Sequence, residues 1–285
     1  MARCAMWLVV LLMLMVPPQM AGAAAPGLLQ GPQDPAIARA SAQIIEQAHG
    51  HRLVVLGELH GTAEMPALAA RVGAAYASAG PLTLALEMPH TEQDALERYL
   101  ASDGDPVAWK ALAATPFWQV HDDQHDGRRS VQMRQLVEAM RALRHQGAAV
   151  QVLAYDVSQE QADAHDHHWR DARMADNLRS AATEQPGVLL VLTGNVHAMR
   201  TRPSWAPAEL QLAPMTSLLL DLEPFAVNIT GASGQFWGCL PDACQALPAR
   251  TQMAQPLLRA TEPERAYDLI VQLPQLSLAT LYETP

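Results

Sequence analysis

Four apolar runs in this chain each end in residues able to do acid–base or metal chemistry. Leu53-Val54-Val55-Leu56 runs into Gly57-Glu58-Leu59-His60-Gly61, and Leu82 to Leu86 runs into Glu87. Ala148 to Ala154 leads to Tyr155-Asp156, and Val188 to Leu192 leads to Gly194-Asn195-Val196-His197. Glycines beside Glu58 and His60 let the backbone turn sharply and let a substrate come close. The pattern Gly-x-x-His occurs twice, at Gly57 to His60 and at Gly194 to His197, each time directly after an apolar run. A single copy arises easily by chance; two copies at strand ends carry weight.

Two glutamates and two histidines fit two chemistries. In the first, His60, Glu87 and His197 hold a divalent transition metal (Zn, Mn, Co or Fe), with positions left open for water. Such a metal lowers the pKa of its water and polarises a carbonyl. In the second there is no metal: a histidine acts as general base on water, and Glu58 and Glu87 orient it and shift its pKa. Asp156 is placed either to orient a catalytic histidine or to cap the helix that follows. Arg128, Arg129 and Arg134 offer charge for an anionic group or an oxyanion, with solvated helix charges as the plainer reading. The histidine-rich stretches 121–126 and 165–168 read as polar surface, and Trp118, Trp169 and Trp237 read as packing residues. There is no P-loop, dinucleotide-binding Gly-x-Gly-x-x-Gly, Gly-x-Ser-x-Gly elbow or His-Glu-x-x-His.

The elements that must position these residues follow from apolar periodicity. Runs that are apolar throughout are the mark of parallel strands covered on both faces, and in an open parallel sheet the carboxyl edge is where ligands bind. The expected fold is therefore α/β, a largely parallel central sheet flanked by helices, with Glu58, His60, Glu87, Asp156 and His197 converging on one crevice. Helices are expected over 35–48, 62–79, 91–100, 130–145 and, in two pieces, 159–183. Residues 102–129 read as a long loop or lid. Further strands are expected at 217–222, 225–230 and 267–273, with some antiparallel pairing in this last third.

Residues 1–23 have the pattern of a secretory signal peptide. Arg3 precedes an apolar run from Ala5 to Val16, too short to span a bilayer, and Ala21-Gly22-Ala23 offers a cleavage site. A flexible leader over 24–35 then precedes one domain over 36–285, expected in a bacterial periplasm with no membrane span once the signal is cleaved. Cleavage leaves Cys239 and Cys244, close enough in an oxidising compartment to form a disulfide across a small loop. The chain has 285 residues, 49% of them hydrophobic, enough for a substantial core. Its net charge is -10, and Lys110 is its one lysine, which argues against nucleic acid and anionic membranes as partners. A small molecule or peptide is left as the substrate.

At these residues the chain resembles the superfamily that joins erythromycin esterases, Tiki/TraB-type proteins and ChaN-type haem-binding proteins. The segment Gly57 to Glu64 is similar to its first motif, and Leu86-Glu87 to its glutamate after the second strand. Arg170-Asp171-Ala172-Arg173-Met174-Ala175-Asp176-Asn177 is similar to its Arg-Asp-x-x-Met-Ala-x-Asn segment, and Gly194 to Ala198 to its final histidine motif. An esterase-like member would use Glu58, His60, Glu87 and His197 to activate water, although the first motif here has one residue fewer between Glu and His than the esterase pattern. A Tiki-type member would bind a divalent metal through Gly57 to His60, Glu87 and Gly194 to His197. A ChaN-type member would bind haem without hydrolysis. The resemblance thus implies either an exported hydrolase of an ester or amide bond, or a periplasmic haem- or metal-binding protein.

Overall fold

The computed structural model describes residues 34–120, 125–202, 213–240, 242–249 and 265–282. The expected signal peptide and most of the leader lie outside them. The leader's last two residues start the first helix, α1 (Pro35–Gln47): Asp34 caps it by accepting from Ala36 N at 2.7 Å, and Pro35 occupies the first turn.

Six strands form one sheet, all parallel: β1 (Leu53–Glu58), β2 (Leu82–Pro89), β3 (Val150–Asp156), β4 (Val188–Gly194), β5 (Phe225–Gly231) and β8 (Leu269–Leu273). Their order is β3-β2-β4-β1-β5-β8. The antiparallel pairing expected in the C-terminal third occurs in a separate two-stranded sheet, β6 (Gln235–Cys239) with β7 (Cys244–Pro248), closed by a Cys239–Cys244 disulfide. All six residues of β1 are buried, as the unbroken apolar run requires of a strand covered on both faces.

Alternate residues of each strand feed two cores. Val54, Leu56, Leu84, Leu86 and Leu190 pack under α1, α2 (Glu64–Ala79), α3 (Gln93–Leu100), α4 (Pro106–Ala113) and α5 (Val131–His145). Val55, Ala85, Leu189 and Val191 pack under α7 (His167–Glu184), which follows the short α6 (Gln159–Ala164), and under a 3-10 helix at Met215–Leu222. The chain leaves β1 through α2 on the first face, and leaves β4 through the 3-10 segment on the second. Adjacent strands whose connections diverge in this way open a crevice at their carboxyl ends. Glu58 pairs in register with Gly194 at that point.

Two expectations fail locally. Ser217 to Leu222 is 3-10 helix rather than strand, because a run as short as Leu218-Leu219-Leu220 fits a helical turn as well as a strand. The expected lid over 102–129 is partly regular. Asp105 caps α4 by accepting from Ala108 N at 2.7 Å with Pro106 in the first turn, and Trp109, Leu112 and Trp118 are buried in the core. Among the described residues, no helix is long and apolar enough to cross a membrane.

Candidate active site

Glu87 is the centre of the crevice. It leaves β2 with its side chain buried, and four donors surround its carboxylate. Thr193 Oγ1 and Gly194 N each donate to Oε2 at 2.7 Å. Arg128 Nη1 at 3.0 Å and Arg170 Nη2 at 2.8 Å donate to Oε1. Burial alone would raise the Glu87 pKa; Arg128, His60 and His197 outweigh it and hold the carboxyl well below its usual range.

A histidine–carboxylate pair stands on either side of Glu87. At the end of β1, His60 Nδ1 lies 2.9 Å from Glu58 Oε1, and its Nε2 faces Glu87 Oε1 at 3.7 Å and Asp126 Oδ2 at 4.0 Å. Beyond β4, His197 Nδ1 lies 2.7 Å from Asp171 Oδ1, and its Nε2 lies 3.2 Å from Arg170 Nη1 and 4.0 Å from Glu87 Oε1. An arginine donates and never accepts, so the His197 proton sits on Nδ1 against Asp171 and the Nε2 lone pair faces the crevice. Gly194 makes room for the first pair: a Cβ there would lie 2.9 Å from His60 Nε2.

The two imidazoles thus stand in different surroundings, and only His60 is ringed by three carboxylates. Burial works against protonation of His60, but Asp126, Glu87 and Glu58 prevail and lift its pKa to about 10. Burial also lifts Glu58 above its usual range. Asp126 resists burial through Arg128 and His60 and is held at about 2.

These directions set the pH dependence of stability. His60 contributes fully below its ordinary 6.5, and the contribution is lost as pH rises from there through about 10. Asp126 behaves oppositely: its contribution is present above 3.8 and lost as pH falls toward about 2. Melting temperatures should therefore decline between pH 6.5 and 10, and His60→Gln should flatten that decline. An equal decline in the variant would remove His60 as its cause.

The crevice collects five of the residues singled out in the sequence at contact distance: Glu58, His60, Glu87, His197 and Arg128. Asp156 is also present in another role. It neither orients a histidine nor caps a helix; it pairs with Arg170 at 2.6 and 3.0 Å and lies 3.6 Å from Arg128. Arg129 and Arg134 do not reach the site. Buried Arg129 donates to Tyr282 O at 2.7 Å, and Arg134 lies over the Trp109 ring at 4.6 Å. Of the stretch 121–126, read as polar surface, residues 121–124 lie outside the described residues, whereas Asp126 faces His60.

Three participants were not among the candidates. Arg170 and Asp171 lie near the start of α7, and only the Arg-Asp pair in the superfamily-like segment marks them in the sequence. Asp126 had no signal beyond its acidic neighbours.

The residues present do not fit a divalent metal. Both Glu87 oxygens already accept from four donors, two of them guanidinium groups. Among the described residues, no group of three or more His, Cys, Asp or Glu has the geometry to hold one.

Solved structures carry the same architecture. An erythromycin esterase in its open conformation is similar at a TM-score of 0.62 and 13% identity, over 85% of this chain and 95% of that one. The chain has the erythromycin esterase fold. A succinoglycan biosynthesis protein matches at a TM-score of 0.62 and 11% identity, over 84% and 92% of the two chains. A Bacillus cereus protein matches at 0.53 and 11%, with the same coverage. No protein-family model matches the sequence, and no curated protein is significantly similar to it.

Proposed function

We propose that the protein is an exported hydrolase of an ester or amide bond that activates water directly, without a metal. The observation that carries this reading is the pair of histidine–carboxylate couples facing one buried glutamate from opposite sides. They differ in surroundings: His60 Nε2 faces the carboxylates of Glu87 and Asp126, whereas His197 Nε2 faces the Arg170 guanidinium, an asymmetry that suits an acid and a base.

His197 is the base. Its Nε2 takes a proton from water as the oxygen attacks the carbonyl carbon, and Asp171 stabilises the imidazolium that forms. His60 is the acid: it donates a hydrogen bond to the developing oxyanion or a proton to the leaving group. Arg170 lies beside the same crevice and adds positive charge for the oxyanion. Glu87 holds both arginines and sets the distance between the histidines. The hydrolase neighbour on the same fold supports the reaction class, and the signal-like residues 1–23 with the closed disulfide support export to the periplasm.

The test is a screen of aryl esters and short peptides with mature, untagged protein, before and after chelation and dialysis. Turnover that survives chelation is the expected result. Turnover abolished by chelation and restored by zinc or manganese would replace direct activation with metal catalysis. A Soret band and no turnover would replace hydrolysis with haem binding.

A further inference from the structure

The β6–β7 hairpin carries no catalytic group, yet one of its side chains packs against both loops that border His60. Trp237 lies against Gly61 and Gly127 together: a Cβ on Gly61 would collide with Trp237 Cβ, and one on Gly127 would come within 2.8 Å of it. Gly61 follows His60, and Gly127 separates Asp126 from Arg128. Both glycines hold left-handed φ values, 65° and 83°, so the close approach uses conformations other residues resist.

A second contact closes the ring. Trp237 Nε1 donates to Ala279 O at 3.0 Å, and Ala279 N donates to Gly61 O at 2.9 Å. The Cys239–Cys244 bridge lies two residues beyond Trp237, at the end of the same five-residue strand. A two-stranded hairpin is marginal by itself in water, so the covalent bridge does much to fix its shape.

We propose that Trp237 is a positioning residue for His60 and the Asp126–Arg128 loop, and that the Cys239–Cys244 disulfide makes its grip dependent on redox state. A dithiol thiolate attacks one sulfur, the Cys239–Cys244 bond breaks, and a mixed disulfide forms. The second thiol of the reductant then displaces the remaining cysteine. Cys239 and Cys244 end as two thiols, having gained two electrons and two protons, and the reductant ends as its own disulfide. The inference deepens the proposed hydrolase reading by adding regulation of the same site, but its geometry is independent of turnover.

Hydrogen exchange on the mature protein, oxidised and then reduced with dithiothreitol, tests it. The amides of Ala63, which donates to Ser277 O, and of Ala279 report the ring. They should exchange about tenfold faster after reduction while β1 stays protected. Trp237→Ala should exchange fast in both redox states, and Trp237→Phe, which keeps a ring over the glycines, should restore slow exchange when oxidised. Unchanged exchange at both amides in protein with two titratable thiols would overturn the redox claim, as would loss of protection throughout β1. Once a substrate is known, Trp237→Ala should lower kcat with little change in KM, with rescue by Trp237→Phe; a change in KM alone would overturn the positioning role. Exchange is read without substrate, so this proposal and the hydrolase reading fail separately.

Discussion

Replacing His197 with alanine is expected to lower kcat/KM by about 10²- to 10⁴-fold, the usual range for loss of a general base. The assignment rests on proton placement: Asp171 holds the proton on Nδ1, and Arg170 approaches the unprotonated Nε2. Asp171→Asn should lower turnover in the same direction, since an amide placed there cannot stabilise imidazolium as a carboxylate does. His197 is partly exposed, with 15% of its side chain accessible, so the alanine variant should melt near the parent temperature. The decisive comparison is turnover on the ester or peptide found in the screen. Full activity in His197→Ala would remove the histidine from the mechanism and leave His60 as the candidate base.

Glu87→Gln is expected to be the most destabilising conservative change in the site. A carboxylate satisfies four donors here; a carboxamide presents its NH₂ either to the two guanidinium groups or to Thr193 and Gly194, donor against donor. Two half-buried cations also lose the buried counter-charge they share. Removing one partner of a buried ion pair costs about 3–5 kcal/mol, which for a chain of this size lowers Tm by roughly 10 °C. Thermal melts of the two proteins at one pH measure it. A variant that melts with the parent would show that Asp156 and Asp126 suffice to hold the arginines.

Much of this arrangement was legible in the sequence. The runs at 53–56, 82–86 and 188–192 could be read as parallel strands because a strand covered on both faces needs no polar alternation, and their ends then placed Glu58, Glu87 and His197 at one edge. Asp171 was harder to place. It lies 26 positions before His197 on a helix, and nothing local shows which strand end that helix will face. Asp126 meets His60 only because two glycines let distant loops touch, a contact with no periodic signature. Helix α4 falls within the stretch 102–129 that reads as a loop or lid, although Asp105-Pro106 is an ordinary capping pair with the proline as first helical residue. Residues 217–222 of the 3-10 segment Met215–Leu222 read as strand from apolar content, although leucine, unlike valine or isoleucine, carries no preference for strand.

The divergence of the chain after β1 and β4 makes faults in the two halves of the site separable. His60 is followed by α2, anchored in one core, whereas His197 is gripped by Asp171 of α7, anchored in the other. A cavity opened beneath Met174 would detune the base and spare the acid, and one opened beneath Leu68 would do the reverse. Glu87, shared by both, is where such errors would cease to be additive.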